Sequence, residues 1–250
     1  TNADHLGFAL KAIEKPEALA PLVELIAKGQ ADASTVRLVG KIGRPHELDA
    51  VLHLAHRDTH ALTRDAALAL AEAVEDRGIS PANESLRSPT CKRLLSEDDN
   101  EIVAAGCRLA AAWNLEDLAT EILARLITAP PALAPSAAKA VARLGNREEI
   151  HSLASQGEAR HIRVATTAAL FELDPAVASV LTVKLFHENL SQAEIETLMG
   201  EGLLRPGGSE HLARALAGKK ISRDTALHAT RLLEVSGKGH PGLTAALAKA

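Results

Sequence analysis

The fourteen residues from Lys41 to Leu54, KIGRPHELDAVLHL, repeat the pattern of an earlier stretch, AIEKPEALAPLVEL, from Ala12 to Leu25. Ile13, Pro16, Leu19 and Leu25 return as Ile42, Pro45, Leu48 and Leu54, each 29 positions on (42 − 13 = 29). A third copy, RLGNREEIHSLAS from Arg143 to Ser155, places Leu144, Gly145, Glu149, Ile150 and Leu153 where Ile42, Gly43, Glu47, Leu48 and Val51 stand in the second. A unit of about 30 residues is one supersecondary element, too small to bury its own apolar face. Such units survive by stacking, each covering its neighbour, so the repeated leucines become a continuous core.

The units read as helix pairs. Apolar residues recur with the helical period almost throughout: Leu6, Leu10 and Ile13 share one face, Leu22, Leu25 and Ile26 another. Pro16, Pro45, Pro175 and Pro241 sit where a helix would begin, a position at which the missing N–H costs nothing. Asn146 with Glu149 and Ser191 with Glu194 have capping-box spacing. Gly29, Gly43, Gly145 and Gly237 fall where helices should stop. Second helices are expected to start near Pro16, Pro45, Leu86, Leu115, Asn146, Pro175, Ser209 and Pro241. Irregular connections are expected near 78–90 and 200–211, where glycine, proline and polar residues crowd.

Composition agrees with close-packed helices. Hydrophobic residues make up 46% of the 250 but aromatics only 2%, so the apolar mass is Ala, Leu, Val and Ile. A net charge of −4 offers no basic footprint for nucleic acid. No apolar run is long enough to cross a membrane. Two cysteines, Cys91 and Cys107, read as buried thiols. Phe8, Trp113, Phe171 and Phe186 are expected in the core, which leaves the surface poor in the aromatic anchors that dominate tight interfaces.

Signatures of chemistry fail one by one. His53, His56 and His60 have the spacing of a shared helical face, but His46-Glu47 does not open an HExxH motif, because the next histidine would have to be at Ala50. Solvated histidines on an outer surface are the simpler reading of His46–His60. The carboxylate pairs Glu148-Glu149, Asp98-Asp99 and Glu194 with Glu196 lie in expected first turns, where negative charge meets free N–H groups. No GxSxG is present, and Ser236-Gly237-Lys238-Gly239 follows a helix and lacks phosphate-loop spacing. Lys219-Lys220 with Arg223 is basic but has no stacking aromatic beside it.

The repeat resembles HEAT-like repeats of the phycobilisome-lyase type, with a core A-x-x-L-G-x-x-E-x-ϕ-x-x-L carried here by RLGNREEIHSLAS and KIGRPHELDAVLHL. That likeness spans nearly the whole chain and implies an all-α solenoid of about eight HEAT-like helix pairs, a right-handed superhelix forming a single domain over 1–250. A narrower likeness, in HLGFALKAIEKPEALAPLVELI and LAGKKISRDTALHATRLLEVSGKGHPGLTAALAKA, is to the helical region of planctomycete-type proteins that join a β-propeller dehydrogenase-like domain, HEAT-like repeats and a c-type cytochrome. It implies a segment from the middle of a longer extracytoplasmic or periplasmic protein. Neither cysteine belongs to a CxxCH, so the resemblance brings no haem ligand, cofactor, metal or catalytic residue onto this segment.

The expected function is a non-enzymatic scaffold holding neighbouring domains or a partner protein, with no nucleic acid and no membrane span. Helical phase puts the polar contact positions on the second helices: Glu17, Glu24, His46, Asp49, His53, Glu148, His151, Lys184, His187 and Arg214. Enzymes on HEAT-like repeats are the alternative, either a chromophore lyase or an alkylpurine DNA glycosylase. The latter needs a basic concave face with aromatic and carboxylate residues, against which charge and aromatic content argue.

Overall fold

The computed structural model describes residues 19–57, 62–235 and 239–250. Pro16, Glu17, Phe8, His60 and Gly237 lie outside them. Among the described residues there are fifteen α-helices and no strand. The chain divides into two compact units, 1–122 and 123–250, with the boundary inside one helix.

In the first unit α1 (Ala20–Ala27), α3 (Pro45–His56) and α5 (Arg87–Leu95) form one layer; α2 (Ala33–Ile42), α4 (Thr63–Arg77) and α6 (Asn100–Ala112) form the other. Each helix packs on its partner in the pair and on the equivalent helix of the next pair. Helix α7 (Ala119–Ile127) contains the boundary. The second unit repeats the plan. Helices α8 (Ala134–Arg143), α10 (Arg160–Leu170), α12 (Gln192–Leu204) and α14 (Arg223–Val235) stack as first helices. Helices α9 (Arg147–Gln156), α11 (Pro175–Leu185), α13 (Gly208–Leu216) and α15 (Pro241–Leu247) are the second helices, with α11, α13 and α15 in succession. This is an all-α, solenoid-like arrangement in sequence order.

Proline marks the start of α3, α11 and α15, where its fixed φ suits the first turn. Ser191 and Glu194 form the expected capping box on α12: the Ser191 hydroxyl accepts from Glu194 N–H, and Glu194 Oε2 accepts from Ser191 N–H at 2.7 Å. Asn146 departs from expectation. Its backbone sits at φ −80°, ψ 61°, and its side chain caps nothing. Helix α4 stops at Gly78, which adopts φ 65° while Ile79 N–H reaches back to Ala73 O, a glycine-dependent turn.

Small residues explain the low aromatic content. Helix α4 buries Ala66, Ala67, Ala69, Ala71 and Ala73, and α10 buries Ala165, Ala168 and Ala169, so the first helices of each unit approach closely. Large aliphatics fill the space between layers. Leu48, Leu52, Leu70, Leu94 and Leu109 in the first unit have no exposed surface, and neither does Ile150, Phe186, Leu198 or Leu212 in the second. The repeated positions Leu48 and Ile150 are therefore core positions, each worth roughly 2–3 kcal/mol of apolar burial.

The stretch 78–90 is an ordered strap. Ala82 N–H donates to Pro45 O, Asn83 N–H donates to Asp49 Oδ1 at 2.8 Å, and Arg87 Nη2 donates to Pro81 O before α5 begins. In the stretch 200–211 the connection is confined to 205–207, where Gly207 adopts φ 72°. Gly200 to Leu204 finish α12, and Gly208 already opens α13. Two of its glycines serve packing: a Cβ on Gly202 would meet Leu212 Cδ1 at 2.7 Å, and one on Gly208 would meet Gly202 O at 1.9 Å.

Candidate interaction surface

Charge is distributed differently over the two layers. On first helices, cations reach carboxylates one repeat away. Arg37 pairs with Asp65 at 2.7 Å, Arg108 with Glu75 at 2.5 Å, Arg160 with Glu194 at 3.0 Å, and Arg64 with Glu101. Arg143 (2.9 Å) and Arg205 both bind Glu172, and Lys139 spans two repeats to bind Glu201. Burial on its own would raise the Glu172 carboxyl, but hydrogen bonding and charge from Arg143 and Arg205 hold it below the ordinary carboxylate range. Arg77 works similarly on backbone, donating to Gly40 O and Gly43 O at the end of α2; burial lowers its pKa.

Second helices carry shallow clefts instead. Between α1 and α3 lies one of about 400 Å³, floored by Ile26 and Leu54 and edged by His53 and Arg57. Between α9 and α11 lies one of about 330 Å³, floored by Leu170, Leu173 and Val177 and edged by Arg147, Glu148 and His151. Between α13 and α15 lies one of about 340 Å³, with Ala213 and Leu243 below and Glu210, Arg214 and His240 at the edge. Each combines an aliphatic floor, one arginine and one histidine. Two of the three lie where successive second helices pack on one another, α1 on α3 and α13 on α15.

The sequence-derived positions distribute over this surface unevenly. Glu148 and His151 come together on one cleft; His53 and Arg214 each edge another. Glu24 is engaged by Lys28 at 2.6 Å, one helical turn away. His46 is exposed and stands 4.0 Å from Asp49, whose carboxylate holds the 78–90 strap. Lys184 and His187 are exposed but line none of the three clefts. His56 turns away from His53, its Nδ1 lying 3.1 Å from Thr90 Oγ1. Among the described residues no three His, Cys, Asp or Glu side chains gather as a metal would require.

Arg57, Arg147, Glu210 and His240 were not singled out by helical phase. Arg57 follows the last residue of α3, Arg147 opens α9, Glu210 lies in the first turn of α13, and His240 precedes α15. A stripe drawn along a helix misses residues at its ends, where the chain turns the side chain across the seam. Glu210 is kept below its usual range by its own backbone N–H, then by Ser209, with the His240 and His211 imidazoles adding to the effect.

Two aspartates serve as helix caps. Asp99 Oδ1 accepts from Glu101 N–H and Ile102 N–H at the start of α6, and Asp174 Oδ1 accepts from Ala176 N–H and Val177 N–H at the start of α11. Cys91 and Cys107 are fully buried, and burial pushes the Cys91 thiol far above its ordinary value. No helix among the described residues is long and apolar enough to cross a membrane. No family model, curated protein or solved structure matches this chain.

Proposed function

We propose that the chain is a non-enzymatic protein-interaction scaffold that holds a partner protein, or neighbouring domains, against its second helices. One observation carries this reading: three clefts at equivalent seams share an aliphatic floor edged by arginine and histidine. A concave seam with an aliphatic base, half-buried at Leu173, Val177 and Ala213, and a polar edge suits a protein-binding site, with the anchor side chain desolvated and the edge setting orientation. Repetition suits an extended partner, because neighbouring weak sites combine through high effective concentration. The first-helix layer, whose arginines and carboxylates satisfy one another, offers a partner little by comparison.

Proteins that co-purify with the tagged native chain from cells producing it provide the test. A Leu173→Glu chain, which puts charge on the α9–α11 floor, should lose a specific co-purifying protein that a Glu196→Lys chain retains. Circular dichroism confirms that both are folded. Equal retention by both chains, or no specific partner with the native one, overturns the reading.

A further inference from the structure

The strap of the first unit shows how a segment of chain seats on a second helix, and this step rests on the scaffold reading. Residues 78–86 connect α4 to α5 and lie on the N-terminal half of α3. Pro81 is buried there, Ala82 N–H donates to Pro45 O at 3.1 Å, and Asn83 N–H donates to Asp49 Oδ1 at 2.8 Å. Arg87, the first residue of α5, donates to Pro81 O at 2.7 Å. One apolar ring and the two backbone donors that follow it hold a non-helical segment against α3.

The repeat puts the α9–α11 cleft at the equivalent place. Ile42 and Leu48 correspond to Leu144 and Ile150, a shift of 102 (144 − 42 = 102), so Pro45 and Asp49 correspond to Arg147 and His151. Both of these edge the cleft, and Leu48 and Ile150 are alike in having no exposed surface. The two places differ in the connection. Residues 171–174 join α10 to α11 directly where the first unit runs through 78–86, and Leu173 and Val177 stay half-buried on the floor. We propose that this cleft takes a non-helical, proline-containing segment of a partner protein, seated as the strap is seated on α3. The proline ring covers Leu173 and Val177. The next two backbone N–H groups donate to Arg147 O, which like any carbonyl has two lone pairs, and to a ring nitrogen of His151 in the place of the Asp49 carboxylate.

A synthetic peptide with the sequence of residues 79–86, added to the isotope-labelled full chain and followed by NMR, tests this directly. Amides of 147–151 and 173–177 should shift together as the peptide is added. Pro81→Asp in the peptide should weaken binding about tenfold, because a charge replaces the buried ring. His151→Asp in the chain supplies the acceptor that the strap itself uses and should tighten binding about fivefold. His151 is exposed, so the rest of the spectrum should stay as it was. A peptide that binds nowhere, shifts residues 45–49 by displacing the strap, tolerates Pro81→Asp, or gains nothing from His151→Asp would overturn the proposal. Failure here, with a partner still lost in Leu173→Glu, rejects the strap-like mode alone; retention of that partner rejects the scaffold.

Discussion

Replacing glycine by alanine should have opposite effects at two helical sites, because one faces a neighbouring backbone and the other faces open space. Gly40 lies in α2 where it crosses α4, and a Cβ there would fall 2.6 Å from Ala69 Cβ, 3.0 Å from Ala69 O and 3.2 Å from Ala69 C. Ordinary carbon contacts are about 3.5–4.0 Å, so α2 and α4 must separate by about 1 Å, and no flexible side-chain end is available to yield. Overpacking of this kind costs roughly 1–3 kcal/mol, against about 1 kcal/mol gained in helix propensity. Gly40→Ala should therefore destabilise the α2–α4 seam by up to about 2 kcal/mol net. Gly200 sits inside α12 with nothing within 4 Å of the same position, so Gly200→Ala collects only the propensity and stabilises by up to about 1 kcal/mol. Amide exchange resolved by helix reads both, since a stack of repeats opens locally. Faster exchange in α2 and α4 of Gly40→Ala, with slower exchange in α12 of Gly200→Ala, is the expected pair. A Gly40→Ala chain as protected as the native one would refute the close approach of these helices.

Glu172→Ala should cost about 1–2 kcal/mol, because Arg143 and Arg205 both lose their acceptor while remaining partly solvated; urea denaturation followed in the second unit would show it, and a change below about 0.3 kcal/mol would mean the two ion pairs contribute nothing. Asp32 caps α2 by accepting from Thr35, whose side-chain and backbone bonds bring its pKa from 3.8 down to about 2. The folded value lies below the unfolded one, so its contribution is full above about pH 4 and lost as pH falls towards 2; Asp32→Ala should cost about 1 kcal/mol at neutral pH and remove that part of the acid dependence. Ile150→Asp puts a charge at a position with no exposed surface, and exchange should speed first in α9 and its neighbours α8 and α10 rather than evenly through the chain. Uniform loss of protection would contradict nearest-neighbour stacking.

Much of the architecture was legible because proline and aliphatic spacing are local signals. Pro45, Pro175 and Pro241 open helices as read, and Leu48 and Ile150 occupy the equivalent core position. In the stretch 200–211 the turn is shorter than the glycine content suggests, because Gly207 makes the turn while two other glycines answer to a neighbouring helix. Gly202 lies against Leu212 and Phe171, and Gly208 against Gly202, contacts invisible in one dimension. Asn146 has the right residue type for a cap but a backbone that keeps its side chain from the helix start. The clefts were half legible. His53, Glu148, His151 and Arg214 follow from helical phase, whereas Arg57, Arg147 and His240 belong to helix ends, where phase carries no information.

The measurement closest to the central claim is a photo-cross-linking comparison in cells that produce the protein. A benzophenone amino acid replaces His53, His151 or Arg214 on the second-helix clefts, or Glu72 or Glu196 on exposed first-helix positions. The account predicts discrete adducts with the same partner from the cleft positions and none from Glu72 or Glu196. Adducts formed equally from both layers, or from neither, would contradict it.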